Sequence, residues 1–158
     1  MEIRMKINGK EIRGKVTPET LLIDFVRSKG CLSVKRGCET SNCGLCTVLL
    51  NERPVLSCST LALRADGKEV KTLEGIQEEA LVIGGYIADE GAEQCGFCSP
   101  GFIMNVYAMK RELKNPTEEE MKEYLSGNLC RCTGYMGHLR ALDKYFQEGE
   151  EKHHEDGK

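Results

Sequence analysis

Nine cysteines in 158 residues are the feature that most constrains how this chain can fold. Eight of them form two sets of four, one in each half of the chain. The first set has the spacing Cys38-x4-Cys43-x2-Cys46-x11-Cys58. The second set consists of Cys95-x2-Cys98 and, after 31 intervening residues, Cys130-x1-Cys132. The placement of the cysteines is therefore the main guide to the fold and the function of the chain.

The composition indicates the cellular compartment of the chain and limits the kinds of partner that it can bind. The formal net charge of -3 gives no reason to expect nucleic acid or an anionic membrane as a partner. The N-terminal stretch MEIRMKINGKEIRGKV lacks the apolar core of a signal peptide, and no stretch approaches the roughly 20 apolar residues that cross a bilayer. We therefore expect a cytoplasmic protein without membrane insertion. In a reducing compartment, clustered thiols indicate metal binding or redox chemistry rather than disulfides.

The first half of the chain, residues 1–75, has the pattern of an α+β domain. Apolar and charged residues alternate over residues 2–7, and the Asn8-Gly9 pair that follows predicts a hairpin. Thr17-Pro18-Glu19 precedes the apolar stripe of TLLIDFVRSK, and Gly30 follows it, which predicts one helix. The stretches TVLLN, PVLSC and EVKTL predict three further short strands.

The second half, residues 76–147, changes to a helical period, with the break near residues 74 to 78. IQEEALVIGGYIADEG, GFIMNVYAMKREL and HLRALDKYF each carry a helical pattern, and Thr117 and Glu120 have the spacing of a capping box at the start of another helix. This half is predicted to be a small four-helix domain. Residues 148–158 have almost nothing to bury and are predicted to form a disordered tail.

The spacing of the first cysteine set is typical of plant-type [2Fe–2S] sites. A short loop has to wrap such a cluster and offer backbone N–H groups to its sulfur atoms, and Gly37 and Gly44 permit that close approach. Cys58 is expected to close the site from the end of a strand. The second set lies in two turns between predicted helices. Two antiparallel helical hairpins side by side would bring its four thiolates to one point.

Other interpretations of these residues stay open on the spacing alone. Four thiolates also bind Zn²⁺ well, and C-x2-C is a common zinc spacing, so ligand softness alone leaves zinc and iron–sulfur as equal alternatives for either set. Cys31 belongs to neither set and is interpreted as a small apolar residue. Because eight cysteines already fill both sites, the side chains of His138, His153 and His154 are interpreted as solvent-exposed.

Three blocks of sequence resemble the small iron–sulfur subunit of the molybdenum hydroxylases, the family of xanthine dehydrogenase, aldehyde oxidoreductase and carbon monoxide dehydrogenase. They are GCETSNCGLCTV with Cys58, QCGFCSPG and LCRCTGY, and the resemblance extends from residue 1 to about 147. It implies a β-grasp ferredoxin-like domain followed by a four-helix [2Fe–2S]-binding domain. The chain departs from the family pattern at Ser41, where glycine is usual, at Leu45, where alanine is usual, and over Met136-Gly137-His138.

The same resemblance implies the ligands of two [2Fe–2S] clusters. The flavin-side cluster would be held by the first set and the molybdenum-side cluster by the second: Cys38, Cys43, Cys46 and Cys58, then Cys95, Cys98, Cys130 and Cys132. Gln94 and Cys132 match positions that approach the pterin. For Gln94 the alternative is a buried amide that satisfies a turn.

The resemblance thus implies an electron-transfer subunit of an oxidoreductase, with no substrate site of its own. Electrons would pass from a molybdopterin cofactor on a large partner subunit through the helical-domain cluster and then the ferredoxin-domain cluster. They would leave to FAD, usually on a medium subunit, or to another acceptor. The alternatives are a free-standing ferredoxin-type carrier and a zinc-stabilised interaction module. The substrate would be chosen by the catalytic chain.

Overall fold

The N-terminal half folds into a five-stranded mixed sheet with the strand order β2-β1-β5-β3-β4. The computed structural model describes the backbone of residues 1–155 and the side chains of residues 1–147. The strands are β1 (Glu2–Ile7), β2 (Lys10–Lys15), β3 (Thr47–Leu50), β4 (Arg53–Leu56) and β5 (Glu69–Lys71). β1 and β5 pair in parallel, whereas the other neighbours pair antiparallel. The long connection between β1 and β5 carries the first cysteine set.

Two tight turns join the antiparallel strands. Asn8 and Gly9 connect β1 to β2 with φ of +50° and +77°, which confirms the predicted hairpin. Asn51 and Glu52 connect β3 to β4 with φ of +48° and +66°. Both turns place two successive residues in the left-handed region, and this geometry follows the right-handed twist of paired strands.

The helix of the first half, α1 (Leu22–Ser28), starts later than the sequence predicts. A start at residues 17–19 is wrong because Leu21 is extended and forms a bridge to Leu61, with Leu22 N–H donating to the carbonyl oxygen of Thr60 at 2.7 Å. The predicted stop at Gly30, with φ of +92°, is confirmed. The apolar side of α1 packs on the sheet in one core, whose members include Ile3, Met5, Leu22, Ile23, Val26, Val48 and Val70.

The second half contains four helices, as predicted: α2 (Gln77–Asp89), α3 (Ser99–Glu112), α4 (Glu118–Leu125) and α5 (Met136–Glu155). The capping box of Thr117 and Glu120 at the start of α4 is confirmed. Their shared core includes Ile83, Ile87, Phe102, Met109, Met121 and Leu142. No helix within the described part of the chain combines the length and the apolar character that crossing a bilayer requires.

The disordered tail expected over residues 148–158 stays a prediction. The helical backbone of α5 continues to Glu155, and residues 156–158 lie outside the described residues. An existing helix gains one hydrogen bond for each residue that is added, and four of residues 148–155 are Glu, which has high helix propensity. Continuation of the helix therefore needs no buried face.

The two halves are packed directly against each other. α3 lies across β3 and β4, and Leu49 of β3 belongs to the core of the helical half. Asn105 of α3 donates through Nδ2 to Thr47 Oγ1 at 3.3 Å and to Asn128 Oδ1 at 2.7 Å. The part-buried amide thus links the sheet, α3 and the segment that follows α4.

One close approach fixes α3 beside the first cysteine loop. A Cβ added to Gly101 would lie 2.4 Å from the carbonyl oxygen of Gly44, so only glycine permits this contact between backbones. Leu129 N–H donates to the carbonyl oxygen of Cys43 at 3.0 Å and makes a second link. The loops that carry the two cysteine sets are therefore neighbours.

Candidate functional site

The first cysteine loop, residues 37–46, presents backbone N–H groups to sulfur. Asn42 N–H donates to Cys38 Sγ at 3.4 Å. Backbone hydrogen bonds from Thr40 and Asn42, together with contacts to Cys43, lower the pKa of Cys38 to about 6. The loop therefore stabilises a thiolate at Cys38, which is the form that binds metal.

Ser41 and Gly44 give this loop its curvature. Both have left-handed backbone, with φ of +59° and +72°. Ser41 is the position where the resembling family usually has glycine, and its φ explains that preference because a side chain is disfavoured in this region. The serine places its hydroxyl 3.9 Å from Cys58 Sγ.

The thiols of the first set lie in two pairs. Cys38 interacts with Cys43, and Cys46 interacts with Cys58. Burial raises the pKa of Cys43 and raises that of Cys46 to about 11. The structure therefore brings these four residues together as the sequence predicts, and it adds how they are paired.

Cys58 does not end a strand, contrary to the prediction. It lies in the turn Ser57–Ser59, just beyond β4. Ser57 donates to the carbonyl oxygen of Cys46 through both its hydroxyl, at 2.7 Å, and its backbone N–H, at 3.3 Å. These two bonds form the turn and hold Cys58 beside Cys46.

The second set also forms two pairs, and each pair joins the two turns between helices. Cys95 Sγ lies 3.5 Å from Cys132 Sγ, and Cys98 interacts with Cys130. The backbone N–H of Phe97 lowers the pKa of Cys95, whereas burial raises that of Cys98 to about 12. Two neighbouring thiolates repel each other, so a pair of this kind favours one thiolate and one thiol until a cation binds.

Cys130 receives the densest hydrogen bonding of the second set. Burial alone would raise the pKa of Cys130, but hydrogen bonds from the side chain and backbone of Thr133 and from the backbone of Cys132 outweigh it and lower the pKa. Thr133 Oγ1 lies 3.2 Å from Cys130 Sγ. In addition, Cys130 N–H donates to the Tyr135 hydroxyl at 2.8 Å.

A single cavity of about 570 Å³ lies between the two cysteine loops. Six cysteines line it: Cys38, Cys43, Cys95, Cys98, Cys130 and Cys132. Phe97 stands at this cavity with 48% of its surface exposed, and the Lys35 ammonium lies 4.8 Å from the centre of its ring. The two sets therefore adjoin each other, with all four cysteines of the second set at the shared space.

Gln94, proposed from the resemblance to approach a pterin, lies at the surface beside Cys132. Gln94 is exposed, and its Nε2 donates to the carbonyl oxygen of Cys132 at 3.2 Å, so it is not a buried amide. Cys132 is exposed as well. Cys31, in contrast, is buried in the core of the first half, where burial raises the pKa of its thiol. Its interpretation as an apolar residue is consistent with that position.

The interpretation of His138 as solvent-exposed is wrong. His138 is 3% exposed, its Nδ1 lies 3.1 Å from Thr133 Oγ1, and its ring centre lies 4.5 Å from that of Phe102. The spacing of His138 with Ala141, Leu142 and Tyr145 places it on the buried face of α5, a signal that the sequence carries. Desolvation lowers the pKa of His138 against an opposing effect of Glu93. The side chains of His153 and His154 lie outside those described.

Comparison with known proteins covers both halves of the chain. A 2Fe-2S iron-sulfur cluster binding domain matches residues 5–74, and a [2Fe-2S] binding domain matches residues 72–143. Each half thus matches a family of cluster-binding domains, in the order that the sequence predicts.

Two relatives match most of the chain and have a similar length. The chain is 43% identical to the nicotinate dehydrogenase small FeS subunit of Eubacterium barkeri, with 92% of this chain and 94% of that protein covered. It is 44% identical to the xanthine dehydrogenase iron-sulfur-binding subunit of Escherichia coli O157:H7, with 85% of this chain and 87% of that protein covered.

A solved structure extends the likeness to three dimensions. The structure of quinoline 2-oxidoreductase from Pseudomonas putida 86 superposes with a TM-score of 0.83 at 36% identity, over 95% of this chain and 98% of that one. The family and the α+β fold predicted from the sequence are confirmed. The chain belongs to the small iron–sulfur subunits of the molybdenum hydroxylases, the electron-transfer components of xanthine dehydrogenase-like oxidoreductases.

Proposed function

We propose that eight cysteines hold two [2Fe–2S] clusters and that electrons pass from the cluster of the helical half to that of the sheet half. The observation that carries this proposal is that the thiols lie in four pairs, three of which line one shared cavity. The ligands of the sheet half are Cys38, Cys43, Cys46 and Cys58. Those of the helical half are Cys95, Cys98, Cys130 and Cys132.

The donor arrangement fits a two-iron cluster better than a single zinc ion. A [2Fe–2S] cluster supplies one-electron chemistry when bound, and four thiolates hold its two irons as two pairs. Zinc gathers four sulfur atoms at about 2.3 Å around one centre. The backbone N–H groups directed at Cys38 and Cys95 add the donors that a negatively charged cluster requires.

The proposed electron donor is a molybdopterin-binding large subunit that docks over Cys95 and Cys132. Both thiols are exposed, and Gln94 lies beside them with its amide bonded to the Cys132 carbonyl. The surroundings include exposed apolar side chains, since Phe97 and Leu129 line the same cavity and are 48% and 51% exposed. The acceptor is FAD, on a medium subunit beside the first cysteine loop. We place this complex in the cytoplasm, where thiols stay reduced.

Two domains, residues 1–75 and 76–147, are proposed to carry one cluster each. The support is that each half has a core of its own and that the family matches meet at residues 72–74. α3 and β3 then form the interface between the domains.

The clusters are tested on the full chain, purified anaerobically together with any larger subunits that accompany it. We expect about four iron atoms and four acid-labile sulfides per chain, a coloured oxidised protein, and two distinct paramagnetic signals after reduction. The signals should differ because the two sites have different donors and exposure. Stoichiometric zinc in a colourless protein would support a zinc module instead, and two iron atoms per chain would contradict the second cluster.

The role as a subunit is tested by co-purification. We expect a large molybdenum-containing chain in a fixed ratio, and reduction of both clusters when that chain turns over its substrate. The contrary result would be a chain that is purified without partner chains, carries both clusters and exchanges electrons with a soluble reductase. That result would support a free-standing carrier.

A further inference from the structure

Thr133 lies between a cysteine and the buried histidine. Its Oγ1 is 3.2 Å from Cys130 Sγ and 3.1 Å from His138 Nδ1. The backbone N–H of Tyr135 also donates to Thr133 Oγ1, at 3.3 Å. A single hydroxyl therefore has three polar neighbours, of which one is a proposed cluster ligand.

The hydroxyl has one proton to donate and two lone pairs to accept with. A cysteine that binds metal is a thiolate and has no proton, so a hydrogen bond between Thr133 and Cys130 in the loaded protein uses the hydroxyl proton. The N–H of Tyr135 occupies one lone pair. His138 is then the donor to the other lone pair, through Nδ1–H. Both the neutral imidazole protonated at Nδ1 and the imidazolium provide this donor.

The packing around His138 holds the ring in place for this bond. The side chain is 3% exposed, and Phe102 lies against the ring at a centre-to-centre distance of 4.5 Å. The ring centre of Tyr135 lies 6.3 Å away. The same tyrosine accepts the Cys130 N–H through its hydroxyl at 2.8 Å, so the histidine and the cysteine are fixed to one short segment.

We propose that His138 is a positioning residue that directs the Thr133 hydroxyl proton at Cys130 Sγ and thereby raises the reduction potential of the helical-half cluster. The proposal rests on the function proposed above, in which Cys130 is a cluster ligand. Reduction adds one electron, and so one negative charge, to the cluster and its thiolates. A hydrogen bond to a thiolate sulfur stabilises the more negative state. Without the donor from His138, the hydroxyl is free to rotate away.

The test compares four variants of the full chain, loaded and purified as above: His138→Leu, His138→Asn, His138→Gln and Thr133→Val. Leucine removes the donor, asparagine can place its amide N–H near the Nδ1 position, and glutamine places its amide nearer to Nε2. Loss of one ordinary hydrogen bond should lower the equilibrium constant for reduction of the helical-half cluster about 3- to 10-fold, or about 28–59 mV for one electron. We expect this fall in His138→Leu, His138→Gln and Thr133→Val, and a potential near that of the wild type in His138→Asn.

A double variant separates the hydrogen bond from packing. In the Thr133→Val background, His138→Leu should produce no further fall, because the hydroxyl that it positions is gone. The proposal would be overturned if His138→Leu lowered the potential of the helical-half cluster equally in the wild-type and Thr133→Val backgrounds. It would also be overturned if a loaded His138→Leu chain kept the wild-type potential. If His138→Leu loads poorly, equal potentials in the Asn and Gln variants would overturn it.

The cluster of the sheet half is the internal control, and its potential should not change in any variant. Iron and sulfide are measured on the same samples. A wild-type chain with two iron atoms and no helical-half signal would contradict the proposed function itself. A fully loaded chain whose potentials do not respond to His138 would contradict only the role of the histidine.

Discussion

Individual hydrogen bonds to sulfur distinguish the thiols within each set. Cys38, which accepts backbone N–H groups, has a lowered pKa, whereas burial raises the pKa of its neighbour Cys43. The pKa of Cys95 is likewise lowered and that of Cys132 raised. Cys38, with a pKa of about 6, is a thiolate at neutral pH and is expected to contact iron first in its set, and the protonated thiols release protons as the cluster forms.

Cys31 provides a test of the ligand assignment at the scale of one residue. Cys31→Ala should keep both clusters and lower the free energy of unfolding by roughly 1 kcal/mol, because it removes a small buried side chain from the core. Cys58→Ala, the matched control, should lose the cluster of the sheet half. Iron content and thermal unfolding measure both effects. Loss of iron from the Cys31 variant alone would show that the first ligand set is assigned wrongly.

Among the elements, α3 determines how the two sites are placed. It begins directly after Cys98, packs on β3 and β4, and touches the first cysteine loop at Gly101. A Cβ at Gly101 would meet backbone atoms, 2.4 Å from Gly44 O and 2.8 Å from Leu45 Cα, and a backbone cannot move aside as the end of a side chain does. α3 can therefore take this position only because residue 101 has no Cβ.

Gly101→Ala should consequently destabilise the chain by about 1–3 kcal/mol and disturb the signal of the sheet-half cluster. Gly84→Ala is its control: this glycine also lies in a helix, α2, but nothing stands within 4 Å of the added Cβ. The control should be neutral or stabilise by up to about 1 kcal/mol, because alanine has the higher helix propensity. Thermal unfolding of both loaded variants compares their free energies of unfolding. Equal values for Gly101→Ala and Gly84→Ala would contradict the close contact of Gly101 with the first cysteine loop.

At the scale of the whole molecule, two cores meet where α3 packs on β3 and β4. Each half has its own buried cluster, and Leu49 is the member of a strand that belongs to the helical core. The bond from Leu129 N–H to the Cys43 carbonyl oxygen joins the two cysteine loops through backbone atoms alone. Side-chain substitution of a ligand therefore leaves this link intact.

On that basis we expect the two halves to lose their clusters separately. Cys43→Ala should abolish the signal of the sheet half, keep that of the helical half, and permit assembly with the catalytic chain while electron delivery to flavin stops. Cys98→Ala should remove the other signal and weaken assembly, because its loop adjoins Gln94 and the proposed docking surface. Spectra and subunit ratios of the two purified variants test this. Loss of both clusters from either change would show one cooperative unit.

The sequence by itself determined the order of the two domain types, the grouping of the cysteines into two sets and the hairpin at Asn8-Gly9. These features depend on local spacing: a turn needs particular backbone angles, and the cysteines recur at short intervals within each loop. The spacing of Thr117 and Glu120 also predicted the capping box, because its two hydrogen bonds lie within four residues.

Only the tertiary structure decided which thiols pair, where α1 begins and what surrounds His138. Cys95 pairs with Cys132 across the two turns, and His138 meets Thr133 because α5 turns one face toward Phe102. α1 starts late because Leu21 is held extended by its bridge to Leu61, which lies far along the chain. Contacts between distant residues depend on how elements pack, and local spacing does not carry that information.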